Sequence, residues 1–153
     1  MATAFTDEIR RVVAAANQEV IHLGHAMIST GHVLIALSEH TPNAASDVLQ
    51  KSRIPADLVR KHVTEMIPVS SPRGRGMQPQ TVEFKRAVQS AVDESLARSH
   101  GYVGVDHLLL SIIADQSYVA CQVLKSMGAD REAIRREIIN SRGFGHSDTD
   151  LGR

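Results

Sequence analysis

The sequence predicts an all-α protein, an eight-helix bundle made of two pseudo-twofold-related four-helix repeats. Three observations lead there. First, the 153-residue chain repeats itself at a spacing of 75 positions, without a gap. His25 and His32 fall on His100 and His107, Thr6 on Thr81, Glu8 on Glu83, Arg11 on Arg86 and Glu19 on Glu94. Leu34, Ala45, Val48, Leu49 and Arg60 continue the register onto Leu109, Ala120, Val123, Leu124 and Arg135, and one register held this long marks a duplicated structural unit. Second, apolar residues recur three and four apart. Third, period-two alternation and hairpin turn pairs are missing, so no strand is predicted.

Thr6 is the expected N-cap of the first helix, with Asp7 and Glu8 in a first turn where the helix dipole favours them. Ile9, Val12, Val13, Ala16, Val20 and Leu23 form its buried stripe, and Gly24-His25-Ala26 makes a turn. Ser29 or Thr30 opens a second helix through His32–Leu37, apolar almost all round and therefore central. Pro42 suits the first turn of a third helix ending near Lys51. Ser52 and Pro55 break the chain before a fourth helix carrying Leu58, Val59, Val63 and Met66.

The second copy follows the same plan. Thr81 caps a helix bearing Phe84, Val88, Ala91, Val92 and Leu96, and Gly101 and Gly104 mark the turn. Val105–Ile113 form the apolar helix, and Ser117 starts the next, with Val119, Ala120, Val123, Leu124 and Met127 on its inner face. Gly128 ends that helix, and Asp130 caps the last, through Ile134, Ile138 and Ile139. The expected organisation is repeat one over residues 1–67, a linker over 68–80, repeat two over 81–142 and a tail over 143–153, the repeats forming one domain. The Gly, Pro and Ser content of 68–79 reads as a mobile linker.

Composition narrows the function. Seventeen basic and seventeen acidic residues balance, unlike the basic footprint of a nucleic-acid binder. No apolar run is long enough for a membrane span, and the N-terminus has no signal-peptide pattern. One cysteine, Cys121, forbids an internal disulfide and fits a reducing, cytoplasmic setting. It matches Ser46 in the other repeat and reads as a packing residue. Eight histidines raise the question of a metal. No carboxylate or cysteine shares a zinc-like spacing with them, and His25, His32, His100 and His107 lie at helix boundaries, where imidazoles satisfy loose backbone groups. Phosphate-loop, nucleophile-elbow and zinc-protease motifs are missing. The expectation is a non-enzymatic chain with no cofactor and no metal, binding neither nucleic acid nor membrane.

Leu23-Gly24-His25 followed by Ser29-Thr30-Gly31-His32-Val33-Leu34-Ile35, and Ser99-His100-Gly101 followed by Gly104-Val105-Asp106-His107-Leu108-Leu109-Leu110, resemble the two hallmark segments of the Clp N-terminal repeat. That hallmark is Leu-Gly-His, then Gly-Thr-Glu-His, then an Ile/Leu run. The opening Phe5–Val13 is similar to the start of ClpC-type domains, and the resemblance spans residues 5 to about 141. It implies a recognition module for substrates or adaptors of the Clp degradation system. A stand-alone Clp N-domain protein would act as a decoy or modulator. The alternatives are the excised front end of a ClpC-type unfoldase and an accessory subunit docking on a Clp protease.

The resemblance also implies two ligand surfaces. Phosphoarginine-binding relatives use helix starts, here Ser29 and Thr30 in one copy and Gly104, Val105 and Asp106 in the other. The family glutamate that would face the guanidinium is replaced by Gly31 and Asp106, so weak or no binding is expected in the first copy. Cyclic peptides bind actinobacterial relatives between the first helices of the repeats. The matching positions are Arg10, Asn17, Lys85 and Gln89, with Ala2 and Gln80 where relatives often carry phenylalanine. Loss of those aromatics leaves an apolar ligand with fewer contacts.

Overall fold

The computed structural model describes residues 4–39, 43–72 and 74–141. Each repeat contributes four helices: α1 Asp7–His22, α2 Thr30–Glu39, α3 Ala44–Lys51 and α4 Ala56–Met66, then α5 Val82–Ala97, α6 Val105–Ile112, α7 Val119–Ser126 and α8 Arg131–Asn140. Thr6 and Thr81 cap α1 and α5, accepting from the Ile9 and Phe84 amides at 3.2 Å. Asp130 caps α8 through the Glu132 and Ala133 amides. Asn43 caps α3 in a reciprocal box with Ser46; Pro42, expected in that first turn, lies outside the described residues. α7 begins at Val119 rather than Ser117, because the Ser117 amide and hydroxyl donate to the Asp115 carboxylate and hold that residue in the preceding turn.

The two apolar helices are central. All of α6 and every residue of α2 except Glu39 are buried. α2 packs on α1 and α4 of its own repeat and on α5, α6 and α7 of the other, and α3 packs on both α6 and α8. The repeats therefore share one core, with Leu34, Leu37, Leu49, Phe84, Leu109 and Leu124 fully enclosed.

Two short strands correct the expectation that none would form. β1 (Ala4–Phe5) pairs in parallel with β2 (Tyr102–Val103), Ala4 opposite Tyr102 and Phe5 opposite Val103. An isolated parallel bridge joins Ile28 to Gln80, which is the same pairing moved by one repeat. The Thr6 amide donates to Val103 at 3.0 Å, and the Thr81 amide to Ile28 at 3.0 Å. Each repeat thus sends the residues ahead of its first helix across to the other repeat. Two-residue strands have no room for alternation, which is why periodicity missed them.

The duplicated backbone persists where the side chain does not. Gly24 and Gly128 close helices with φ of 72° and 73°, and their counterparts Ser99 and Arg53 hold the same left-handed geometry at 56° and 60°. Non-glycine residues meet a steric cost there, so Arg53→Gly and Ser99→Gly are each expected to stabilise the protein by up to about 1 kcal/mol. Urea unfolding midpoints would show it, and a lowered midpoint for both would contradict the strain.

The segment read as a mobile linker is pinned at both ends. The Ser70 amide donates to Gly24 at 2.6 Å. Asn17, buried on α1, donates to the Gly76 carbonyl at 3.1 Å and accepts the Gln78 amide at 2.7 Å. Among the described residues no helix is long and apolar enough to cross a membrane.

Candidate functional site

The crossing strands tie the start of α1 and the start of α5 each to the opposite repeat. Between them lies a groove of about 350 Å³ lined by Phe5, Ile9, Arg10, Val13, Met77, Gln80, Phe84, Val88, Ala91, Val103 and Leu108. Several lining residues are repeat mates: Ile9 with Phe84, Val13 with Val88, Phe5 with Gln80. The groove therefore straddles the pseudo-twofold axis. Among the described residues Arg10 is the one charged side chain in its lining, and its guanidinium reaches Asp7 at 3.3 Å across an exposed surface. Phe5 at 37% and Met77 at 63% exposure leave apolar surface at the rim.

Of the positions predicted for this cleft, Arg10 and Gln80 line it. Asn17 is instead the buried clamp on the linker. Lys85 and Gln89 are exposed on α5 but outside the lining, and Gln89 donates to Asp93 at 3.1 Å. Ala2 lies outside the described residues. Sequence reasoning missed Phe5 and Met77, which restore apolar contacts from positions other than the two where relatives often carry phenylalanine. The signal was present: Phe5 directly precedes the N-cap Thr6, and Met77 sits among Gly and Pro in the linker.

The two helix starts are built around paired imidazoles. The Ser29 N–H donates to His32 Nδ1 at 3.0 Å, His32 Nε2 lies 2.8 Å from His25 Nδ1, and His25 Nε2 lies 3.1 Å from the Ile67 carbonyl. With Nδ1 of each ring accepting, both imidazoles are neutral Nε2–H tautomers, and the chain runs from the α2 cap to the end of α4 with every group used. Burial, then the neighbouring His25, drives the His32 pKa down to about 3, and burial lowers that of His25. The second repeat copies the arrangement, with the Gly104 N–H on His107 Nδ1 at 3.0 Å and His107 Nε2 at 2.6 Å from His100 Nδ1. In each, histidine at the third helical position accepts the N-cap amide, the role that Glu or Gln plays in one half of a capping box.

Ser29, Thr30, Gly104, Val105 and Asp106 are all buried, and the first site is filled by the chain itself. Glu83, at the start of α5, receives the Thr30 amide at 3.2 Å, the Thr30 hydroxyl at 3.1 Å and the Val119 amide at 2.8 Å. The Ala120 amide then donates to Thr30 Oγ1 at 3.0 Å. One carboxylate so satisfies the starts of α2 and α7 and joins the two repeats, where the positive ends of both helix dipoles favour it. A Cβ on Gly31 would lie 2.7 Å from Val119 Cγ1 and 3.0 Å from Val63 Cγ2, so the family glutamate has no room there. In the second repeat, Asp106 Oδ1 accepts its neighbour's amide, His107 N, at 2.9 Å. Glu83→Ala removes the acceptor of two helix-terminal amides and is expected to cost about 2 kcal/mol. Glu83→Gln should cost less, and an unchanged urea midpoint for the alanine variant would contradict the bridging role.

Among the described residues, no three His, Cys, Asp or Glu side chains converge as a metal site requires. The Cys121 thiol is buried, and that burial raises its pKa.

Residues 4–81 and 80–150 each match the Clp repeat (R) N-terminal domain. The chain belongs to this family. Among the relatives of this Clp repeat domain is the negative regulator of genetic competence ClpC/MecB of Bacillus subtilis, 30% identical over 144 residues, covering 91% of the chain and 17% of the relative. The chloroplastic chaperone protein ClpC2 of Oryza sativa is 32% identical over 143 residues, covering 91% of the chain and 15% of the relative. The Clp repeat domain thus spans less than a fifth of the length of these curated relatives. Its fold is that of the N-terminal domain of ClpD from Arabidopsis thaliana, with a TM-score of 0.74 at 24% identity over 88% of this chain and 94% of that one. The Hsp104 N-terminal domain from Candida albicans gives 0.73 at 20% identity over 92% of both.

Proposed function

We propose that this Clp repeat domain is a non-enzymatic recognition module that holds an apolar segment of a degradation substrate or adaptor in the groove between α1 and α5. The observation that carries the reading is a contrast between two surfaces. The groove is open and apolar, with Phe5 and Met77 at its rim. The start of α2, by comparison, already has its amide bound by Glu83 and its Gly31 face closed by Val119 and Val63. A concave apolar site with few polar groups is the ordinary form of a ligand pocket. Arg10 at its edge suits a carboxylate on the bound segment.

In this reading the domain delivers ligands to Clp unfoldase or protease components when it is joined to them. As a separate chain it competes for the same ligands, by an amount set by concentration and affinity. A cytoplasmic setting fits the single cysteine. Phosphoarginine proteins and cyclic peptides are the ligand classes to compare in the test.

The test is fluorescence anisotropy with a labelled peptide alternating leucine and serine and ending in a free carboxylate. The double variant Phe5→Ser/Met77→Ser changes exposed residues only. It is expected to weaken binding roughly tenfold, equivalent to about 1.4 kcal/mol, with wild-type thermal stability. Equal affinities would remove the groove from recognition, as would a phosphoarginine peptide that binds tightly and is lost in Asp106→Ala alone.

A further inference from the structure

The corner between α7 and α8 differs from its counterpart between α3 and α4 in both size and charge. A cleft of about 640 Å³ opens there, with Cys121, Gln122, Leu124, Lys125 and Arg131 in its wall. Two small residues, Gly128 and Ala129, complete the lining. They stand where the first repeat has Arg53 and Ile54, and Ile54 is 2% exposed in the shared core. A Cβ on Gly128 would meet nothing within 4 Å. Two bulky side chains are therefore missing from the second corner.

The charges change as well. Asp47, Gln50 and Ala56 of the first repeat become Gln122, Lys125 and Arg131. Against the loss of Arg53, the corner exchanges an acid for an amide and gains two cations. Among the described residues no carboxylate lines the cleft, and none pairs with Lys125 or Arg131 within salt-bridge distance. Asp115, in the turn before α7, acts on Arg131 through space and accepts the Ser117 amide and hydroxyl at 2.8 and 2.7 Å. Asp130 is taken up in capping α8, by the Glu132 and Ala133 amides at 3.0 and 3.2 Å. The Arg131 guanidinium is already oriented: its Nη1 donates to the Ile113 carbonyl at 3.1 Å and lies 3.9 Å from Cys121 Sγ. Leu124 and Cys121, 1% and 6% exposed, give the cleft an apolar floor.

We propose that this cleft is a second ligand site, which takes a phosphate monoester carrying a small apolar body. Two cations facing no acid in the lining call for a ligand of about two negative charges, and a phosphate monoester holds that charge on one group at neutral pH. A carboxylate would answer only one of the two. Holding Arg131 by one nitrogen leaves the rest of its fork for the oxyanion and reduces the rotamer freedom lost on binding. The apolar body rests on Leu124. None of the cleft residues lines the groove between α1 and α5, so the site stands whether or not the groove binds peptides.

Phenyl phosphate titrated into the nitrogen-labelled intact chain at neutral pH tests this. Saturable amide shifts are expected at Gln122, Lys125, Gly128 and Ala129, with Ile9, Val13 and Val88 in the groove unmoved. Benzoate, with the same ring and half the charge, should bind at least tenfold more weakly. Lys125→Gln and Arg131→Ala install the residues of the first repeat, and should weaken phenyl phosphate roughly fivefold and at least tenfold. Ala129→Ile, which restores the bulk of Ile54, should abolish the shifts. Lys125 is exposed and its side chain touches no described partner, so Lys125→Gln should keep the wild-type unfolding midpoint and decides the matter even where Arg131→Ala fails to fold. Shifts that do not saturate, benzoate binding as tightly, or unchanged affinity in Lys125→Gln would each overturn the proposal.

Discussion

Gly31→Glu, which restores the residue type of the family hallmark, is expected to destabilise this protein by about 4 kcal/mol, combining overpacking with a buried, unpaired charge. The first carbon of the new side chain already falls 2.7 Å from Val119 Cγ1 and 3.0 Å from Val63 Cγ2. Both contacts are to β-branched valines with little rotamer freedom to retreat. The carboxylate would then share the space with Glu83, which holds the Thr30 amide. Urea unfolding would read the loss as a lower midpoint at unchanged slope. Near-wild-type stability together with new phosphoarginine binding would show instead that the start of α2 is an open pocket. The equivalent change in the second repeat, Asp106→Glu, should be much milder, because an acidic side chain is already accommodated there.

Acidification is the second large effect. His32 has a pKa of about 3 in the folded protein against an ordinary value of 6.5. Between those values the unfolded chain binds a proton that the native state refuses. The stabilisation from the neutral chain is therefore complete above pH 6.5 and is lost progressively as pH falls toward 3. From pH 7 to pH 4 the loss from this one residue is about 3 kcal/mol, and His25 and His100, also lowered by burial, add in the same direction. His32→Asn keeps an oxygen to accept the Ser29 amide but does not titrate. It should be less stable than wild type at pH 7 and lose less stability on going to pH 4. An identical acid slope in both proteins would mean that the imidazole chain is not what resists the proton.

How much of this was legible in the sequence follows from the range of each interaction. His25 and His100, Thr6 and Thr81, and Leu49 and Leu124 announce the duplication, because repeats and caps are local patterns. The eight helices follow from local periodicity. The crossing of β1 onto β2 does not, since it joins Phe5 to Val103 through two-residue strands. Glu83 reads from sequence as an ordinary first-turn acid. That it closes the starts of α2 and α7 depends on Thr30, 53 residues away. Asn17 was matched to the cleft, and its burial against Gly76 and Gln78 shows that it orders the linker instead. The cleft itself was anticipated between the first helices of the repeats. Its apolar rim was not, because Phe5 and Met77 reach it only through the strand crossing and the pinned linker.

The most direct measurement is a map of amide shifts on the nitrogen-labelled protein as the leucine–serine peptide is added. The account predicts saturable shifts at Phe5, Ile9, Val13, Phe84, Val88 and Val103, on both sides of the pseudo-twofold axis, with Thr30, Gly31 and Val119 unmoved. Shifts confined to Thr30, Gly31 and Gly104–Asp106, with the groove residues silent, would contradict it.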